Sequence, residues 1–262
     1  MKKLLSTLGS AAVVLTLGVS APAQAGSLST PATAVSAAPT TSAVGASMPP
    51  MRRQFRRETV RYGQSDRDVF HIAHVRELQY RLRWAGVYSA GVTGYFGDIT
   101  RAAVKRYQRR EGLLASGVAN QVTWAHLLRD TIRHRFAVPA VCRRDGWHAC
   151  YDRSMHQVVL LRNGNYVNTW LVRGGSSSTP TRLGTHAVYY RDRDHVSGMF
   201  GSPMPYSQFF DGGEALHGSR NMTDPFYGHS HGCVNMYVED ARQLWRLTNG
   251  KRLMVTVYGA WD

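Results

Sequence analysis

The chain has 262 residues, of which 43% are apolar and 10% aromatic. This length allows one large domain or two of modest size, and this composition supports a packed core rather than a wholly disordered chain. The formal net charge of +15 at pH 7 indicates an anionic partner, which can be nucleic acid or an anionic cell envelope.

Residues 1–25 are typical of a secretory signal peptide. They begin with two lysines, continue as an apolar run over about residues 4–19, and end in Ala23-Gln24-Ala25, where cleavage is expected. Removing this segment lowers the formal charge from +15 to +13 because the two lysines are lost. No later apolar run reaches the ~18–20 residues that span a bilayer. We therefore expect an exported protein without a transmembrane anchor, in the cell wall, the periplasmic space or outside the cell, and export argues against a nucleic-acid partner.

Residues 26–64 are predicted to be a disordered linker. Their first part, 26–50, is dominated by Ala, Ser, Thr and Pro without periodicity, which is typical of a flexible tether. Residues 51–61 then add five arginines against one acid, Glu58. A charge run of this kind is usually solvated, and here it could also contact anionic wall polymers.

A small helical domain is predicted at residues 65–130. Apolar residues recur there at helical spacing in three groups, and glycines follow the first two groups as helix stops. The groups are Val75, Leu78 and Leu82; Ala103, Val104 and Tyr107; and Trp124, Leu127 and Leu128, with Gly86 and Gly112 as the stops.

The helical stretch resembles the peptidoglycan-binding domain type 1 family over nearly its whole length. The matching residues are Leu78-Gln79, Gly86, Thr93-Gly94-x-Phe96-Gly97, Thr100, Ala103-Val104, Tyr107-Gln108, Gly112-Leu113, Gly117 and Thr123-Trp124. The resemblance implies that this domain binds peptidoglycan. Most of these residues are turn glycines or core residues, so a domain that folds without binding a ligand is the alternative.

Cys142 and Cys150 are predicted to form a disulfide. A turn at Asp145-Gly146 could bring their Cα atoms within the ~4.4–6.8 Å that a disulfide requires, and export favours oxidation. The chain has three cysteines, so this pairing leaves Cys233 as the odd thiol, which fits a reactive role.

From about residue 147 the chain is predicted to be mainly β, with one helix. β-rich runs alternate with turn signals, and Asn163-Gly164 is typical of a type I′ hairpin. The predicted strands are Gln157–Leu161, Tyr166–Val172, Thr185–Tyr190 and Arg252–Tyr258, and the predicted helix is Glu239–Thr248.

A nucleophilic cysteine site is predicted around Cys233. A thiol needs a base or a positive field to react near neutral pH, and His217 lies upstream on another segment. The run Ser230-His231-Gly232-Cys233 also lines up backbone N–H groups that could hold an oxyanion. Two alternatives are an inert core cysteine and a zinc site of His229, His231 and Cys233. The zinc site requires that Gly232 does not turn the chain.

These residues resemble the motif of the L,D-transpeptidase (YkuD-type) family, which is a His, a spacer and then Ser/Thr-His-Gly-Cys-x-Asn/Arg. The resemblance covers about residues 147–259 and extends to Thr179–Thr185, Met204-Pro205-Tyr206 and Glu214–Gly218. The spacer between His217 and Ser230 is shorter than in the family pattern. The resemblance implies an α+β chain whose catalytic domain, residues 131–262, is mainly β and sandwich-like.

The resemblance also implies the reaction, which needs neither metal nor cofactor. Cys233 would attack the amide between a diamino acid and D-Ala in a peptidoglycan stem peptide, with His217 as the base and its tautomer fixed by the Gly218 carbonyl. N–H groups of His231, Gly232 and Cys233 would hold the oxyanion. A neighbouring amine would then open the thioester to give a 3→3 cross-link. A poised His217 is expected to depress the pKa of Cys233.

Other residues of the site have less defined roles. Ser230 and His231 either take part in catalysis or shape the loop, and Asn235 is expected to hold the loop or the substrate. Met204 and Tyr206 are expected to line the pocket under a flap. His229, Arg182 and Arg220 receive no role.

Two other functions fit the sequence. Water in place of the acceptor amine would make the protein an L,D-carboxypeptidase. A non-catalytic wall-binding structural protein with an incidental cysteine is the more distant alternative. A papain-like hydrolase fits less well, because there the cysteine usually precedes the histidine.

Overall fold

A computed structural model describes residues 55–135 and 137–261 of the chain. The predicted signal peptide, 1–25, and the predicted linker up to residue 54 lie outside the described residues. The described part contains four α-helices and two sheets, which confirms the predicted α+β class. None of these helices combines the length and the apolar character that crossing a membrane requires.

The three predicted N-terminal helices are confirmed. They are α1 (Val75–Trp84), α2 (Asp98–Arg110) and α3 (Gln121–Arg135). The Asp66 carboxylate accepts the first free N–H groups of α1, at 3.0 Å from Val75 N and 2.7 Å from Arg76 N. A carboxylate there satisfies donors that have no partner within the helix.

Two buried glutamines fix the turns of the helical domain. Gln79 accepts N–H groups of Thr93 and Gly94 at 3.0 and 2.9 Å and donates to the Tyr95 carbonyl at 3.1 Å. Gln108 binds the turn at Gly117 in the same manner, accepting its N–H at 2.9 Å. Gln79 and Gln108, which match the peptidoglycan-binding family, therefore have a structural role inside the domain.

Nine strands form two sheets after the helical domain. The first sheet has the order β3-β2-β1-β9-β4, with only β1 and β9 parallel, and the second has the order β5-β6-β7-β8, with only β7 and β8 parallel. The strands are β1 (Trp147–Asp152), β2 (Gln157–Arg162), β3 (Asn165–Leu171), β4 (Gly184–Ala187), β5 (Tyr190–Val196), β6 (Pro203–Asp211), β7 (Glu214–Gly218), β8 (Val234–Met236) and β9 (Leu253–Tyr258). The predicted supporting helix is confirmed as α4 (Val238–Thr248), and a short 3₁₀ helix spans Ala140–Arg143.

One predicted strand is wrong. Residues Thr185–Tyr190 are not a single strand, because the chain changes sheets within this run. Val188 N still donates to Leu253 in the first sheet, whereas Tyr189 N donates to Phe209 in the second. Both residues between the strands still make hydrogen bonds to a sheet, so the sequence pattern does not show the change. The Asn163-Gly164 turn is as predicted, with positive φ at both residues.

The five-stranded sheet is buried on both faces. Residues of one face, including Cys150, Val159 and Leu161, join the core of the helical domain. Residues of the other face, including Val158 and Leu160, join the core that contains the second sheet and α4. Because side chains alternate along a strand, β1 and β2 contribute to two cores at once. The predicted disulfide between Cys142 and Cys150, with 6.3 Å between Cα atoms, lies at the helical face.

A buried ionic cluster joins the two domains. The Glu77 carboxylate binds Arg57 at 2.8 Å and Arg81 at 2.8 Å, and all three side chains are almost fully buried. Arg57 also donates to Asn168 at 3.1 Å and to the Thr169 carbonyl in β3. The predicted solvated charge run is therefore wrong for Arg57, which is held in the core, whereas Arg56 and Arg61 are exposed.

His74 provides a second buried link. Its Nε2 atom lies 3.1 Å from Asp240 in α4, and both side chains are less than a tenth exposed. Burial disfavours the imidazolium, but the charge and hydrogen bond of Asp240 and the charge of Glu77 together outweigh it and raise the pKa of His74 to about 9.

The His74–Asp240 pair predicts how stability depends on pH. A histidine whose pKa is raised in the folded state stabilises fully below its unfolded pKa of about 6.5, and this stabilisation is lost as pH rises to about 9. We expect the unfolding free energy to fall by about 3 kcal/mol over this interval. Urea unfolding of the wild type and His74→Gln between these pH values measures the difference. His71→Gln, at an exposed position, is the control, and equal pH slopes in wild type and His74→Gln would contradict the prediction.

Candidate active site

The parallel pairing of β7 and β8 brings the two ends of the predicted motif together. His217 in β7 lies opposite Asn235 in β8. Cys233 immediately precedes β8, two residues before Asn235, so it lies on the same face about 6–7 Å along the strand. Its side chain packs against the cluster of Met204, Phe209 and Ala215. The nucleophile and base of the predicted site therefore share one face of the second sheet.

The Cys233 thiol lies in a half-buried position that favours its protonated form. Sγ is 3.7 Å from the Gly213 carbonyl oxygen, to which it donates. Burial raises the pKa of Cys233 and outweighs the Ala215 N–H, which lowers it; the Glu214 carboxylate raises this pKa further, and Arg182 lowers it. The expected depressed pKa of Cys233 is therefore wrong, because burial outweighs every nearby positive charge.

The His217 imidazole is buried and neutral. Its Nδ1 atom lies 2.8 Å from the Gly218 carbonyl oxygen. A carbonyl only accepts, so Nδ1 carries the proton and Nε2 keeps a lone pair. Burial lowers the pKa of His217 to about 4, which leaves it neutral at pH 7. This contact between His217 and the Gly218 carbonyl is the one that the L,D-transpeptidase resemblance implies.

Ser230 shapes the loop in front of the nucleophile. Its hydroxyl donates to the Cys233 carbonyl at 2.5 Å and accepts the Gly232 N–H at 3.1 Å. Its backbone N–H donates to Gly174 at 2.8 Å. Because Gly232 N–H is already bound to Ser230, the N–H groups of His231 and Cys233 are the better candidates for an oxyanion site.

The two histidines of the motif region point to different neighbours. His231 is exposed and stacks on Phe200, which follows β5, with ring centroids 4.5 Å apart. His229 lies against Trp261, at 5.6 Å. Gly232 has φ +123°, so the chain turns before Cys233. This turn removes the condition that the zinc alternative required.

A different group of possible metal ligands is buried at the domain boundary. Within residues 55–135 and 137–261, three such side chains come close together only at His74, Glu77 and Asp240. Arg57 and Arg81 already bind Glu77, so these two cations oppose a metal ion there.

The predicted substrate-binding residues separate in the structure. Met204 lies in the Cys233 cluster. Tyr206, by contrast, packs against the core between the sheets, with its ring 6.2 Å from Trp245 of α4. Asn235 is buried, exchanges two backbone hydrogen bonds with Arg173, and its side chain interacts with His217. Asn235 therefore holds His217, the predicted base, and the backbone at Arg173.

Glu214 and Arg182 are site residues to which the sequence assigned no role. Glu214 is 6% exposed, and its carboxylate accepts the Arg182 N–H at 3.1 and 3.2 Å and pairs with the guanidinium at 3.4 Å. Burial raises the pKa of Glu214. The sequence feature that could have identified Glu214 is an acidic residue beside the apolar residues Ala215 and Leu216.

Two family models match the chain. "L,D-transpeptidase catalytic domain" (YkuD) matches residues 147–257, and "Putative peptidoglycan binding domain" matches residues 73–127. The protein therefore has a YkuD-type L,D-transpeptidase catalytic domain preceded by a peptidoglycan-binding domain, and the resemblance seen in the sequence is confirmed. The match of the catalytic domain supports an enzyme of the L,D-transpeptidase type.

Solved structures of L,D-transpeptidases are similar to this chain at low identity. The L,D-transpeptidase (Yku) from Stackebrandtia nassauensis is 22% identical, with 80% of this chain and 98% of that chain covered and a TM-score of 0.48. The L,D-transpeptidase (residues 123–326) from Xylanimonas cellulosilytica is 24% identical, with 78% and 98% covered and a TM-score of 0.46. No curated protein matches the chain.

The half-buried position of the Cys233 thiol predicts that its alkylation rate rises only at high pH. With burial and Glu214 raising the pKa of Cys233, its reaction with iodoacetamide should keep accelerating above about pH 8.5, the ordinary thiol value. Glu214→Gln removes a negative charge and should shift the profile to lower pH. Rates measured by intact mass across pH 6–10 test this. A plateau already reached below about pH 7 would show a preformed thiolate instead.

Proposed function

We propose that the protein forms 3→3 cross-links in peptidoglycan through a thioester on Cys233. The observation that supports it is the neutral His217, held by the Gly218 carbonyl on the sheet face that also carries Cys233. The acyl donor is a stem peptide in which a diamino acid precedes D-Ala, and the acceptor is an amine of a neighbouring stem. The YkuD match over residues 147–257 supports this substrate class.

The first half-reaction starts from a neutral pair. Because Cys233 is protonated and His217 is neutral, the sulfur loses its proton to His217 Nε2 as it attacks the carbonyl carbon. The new C–S bond places negative charge on the carbonyl oxygen, where N–H groups of His231 and Cys233 stabilise it. His217 then protonates the leaving amine, the C–N bond breaks and D-Ala departs.

The second half-reaction uses the same groups in reverse. The acceptor amine attacks the thioester carbonyl and gives its proton to His217. The C–S bond breaks, the new amide forms, and the sulfur recovers its proton from the imidazolium. Attack by water instead of the amine would release a tripeptide stem, so the acceptor alone separates cross-linking from the carboxypeptidase alternative.

The rest of the chain supports a place in the cell wall. We propose that the signal peptide exports the protein, consistent with a Cys142–Cys150 disulfide that an oxidising compartment favours. The match at residues 73–127 supports binding of the helical domain to peptidoglycan. The formal charge of +15, which falls to +13 once the signal peptide and its two lysines are removed, favours attraction to anionic wall polymers.

Substitution of the nucleophile tests the reaction. Incubated with stem tetrapeptides, the mature enzyme should yield D-Ala and 3→3 dimers by mass spectrometry, and a carbapenem should add once per chain on the Ser230–Asn235 peptide. Cys233→Ala should abolish both, and Cys233→Ser should nearly do so because a hydroxyl has a much higher pKa. His217→Ala should slow acylation by about 10²–10⁴.

The products also distinguish the proposed cross-linking reaction from the alternative functions. Tripeptide without dimer would favour the carboxypeptidase, and normal dimer yield from Cys233→Ala would refute the catalytic proposal. An unsubstituted enzyme that yields neither product nor adduct would favour a structural wall-binding protein.

Salt dependence tests how the chain binds the wall. We expect the inactive Cys233→Ala chain to remain partly bound to insoluble peptidoglycan at about 0.5 M salt, because salt screens exposed charges but not a shaped pocket. Pull-down with native wall and with wall stripped of its anionic polymers measures the two contributions. Complete release at high salt from both would leave only nonspecific charge attraction.

A further inference from the structure

The loop that connects the base to the nucleophile motif rests on the helical domain. This connecting loop, residues 219–229, follows β7 and precedes Ser230. It belongs to neither sheet, so its conformation depends on local backbone hydrogen bonds and on side-chain contacts. Several of its residues contact α1 or the segment before α1, although α1 belongs to the peptidoglycan-binding domain.

The central contact joins Tyr80 of α1 to Asp224 of the loop. The Tyr80 hydroxyl lies 3.0 and 3.2 Å from the two carboxylate oxygens. Arg76, one turn earlier, lies 3.6 Å from the same carboxylate. Beside them, the Phe226 ring packs 4.4 Å from Tyr80 and 6.0 Å from Trp84. A charged hydrogen bond and an aromatic cluster thus hold the middle of the loop.

The start of the connecting loop is held in the same way. The Arg220 guanidinium lies 4.7 Å over the Phe70 ring. Met222 is buried with Ile72 and Tyr237 in a small apolar cluster. Contacts with the segment from Phe70 to Trp84 therefore follow the loop from residue 220 to residue 226. Tyr237 and His156, outside that segment, also contact the loop.

The inner side of the loop is tied to the active site. The Arg173 guanidinium donates to the carbonyls of Asn221 at 3.2 Å and Tyr227 at 3.4 Å. The Arg173 backbone pairs with Asn235, which lies opposite His217. A shift of the loop would be transmitted through Arg173 to the strand that follows Cys233.

These contacts are not needed to join the two domains. The shared apolar core and the Arg57–Glu77–Arg81 cluster already fix the helical domain on the first sheet. Loss of one hydroxyl at Tyr80 leaves both in place. The Tyr80–Asp224 contact can therefore be removed without separating the domains.

We propose that α1 of the peptidoglycan-binding domain positions the connecting loop for catalysis, with Tyr80 and Asp224 as positioning residues. The domain then has a second role beside wall binding. The inference rests on the proposed function in that the affected step is acylation of Cys233.

The test compares two hydroxyl deletions in the full mature chain. Tyr80→Phe removes the bond to Asp224, and we expect the limiting rate of carbapenem acylation to fall about tenfold, because small misplacements near reacting groups are costly. Tyr88→Phe is the matched control, since its hydroxyl donates to the Gly91 carbonyl inside the helical domain at 2.6 Å. It should change the rate less than about twofold. Peptidoglycan pull-down should be unchanged in both variants.

Substitutions at Asp224 separate positioning from general stability. Asp224→Asn keeps an acceptor for Tyr80 and should retain most of the rate, whereas Asp224→Ala should lose it. Tyr80→Phe added to Asp224→Ala should cost nothing further, as expected for one shared interaction. A wild-type acylation rate in Tyr80→Phe, or equal losses of rate in Tyr80→Phe and Tyr88→Phe, would overturn the inference.

Iodoacetamide alkylation of Cys233 gives a readout that does not depend on the proposed reaction. The alkylation rate should differ between Tyr80→Phe and the wild type, whereas Tyr88→Phe should react at the wild-type rate. Equal alkylation rates in all three would overturn the inference, even in a chain that no carbapenem acylates. Absence of a carbapenem adduct in the wild type, with alkylation still sensitive to Tyr80, would instead refute only the proposed function.

Discussion

The five-stranded sheet is apolar on both faces, and the other parts of the molecule are arranged by the need to cover it. Val159 and Leu161 point to the helices, while Val158 and Leu160 point to the second sheet. Burying an aliphatic side chain of this size contributes about 1.5–3 kcal/mol, so exposing either face to water would destabilise the fold. The helical domain is for this reason a structural layer of the enzyme as well as a separate module in the sequence.

Charge at the boundary makes this docking specific. Glu77 lies between Arg57 and Arg81, and His74 pairs with Asp240. Buried ion pairs recover their desolvation cost only with good geometry, and removal of one partner leaves an isolated charge that costs about 3–5 kcal/mol. These pairs therefore favour one relative orientation of α1 and α4, and that orientation places α1 beside the connecting loop.

Burial also determines the chemistry of the candidate site. The same physical effect raises the pKa of Cys233 and lowers that of His217 to about 4, because it disfavours thiolate and imidazolium alike. In the proposed reaction the resting pair is neutral, and charge develops only as the sulfur attacks. Backbone N–H groups directed at the carbonyl oxygen would then stabilise the transition state more than the ground state.

The sequence by itself determined the class of the domains, the three helices, the disulfide and the Ser230–Asn235 motif, because these depend on neighbouring residues and on short periodicities. Only the tertiary structure decided the burial of Arg57, the change of sheet at Val188, and the placement of Tyr206 against the core. It also decided that burial raises the pKa of Cys233. Each of these depends on what distant segments pack against a residue, and no local pattern contains that information.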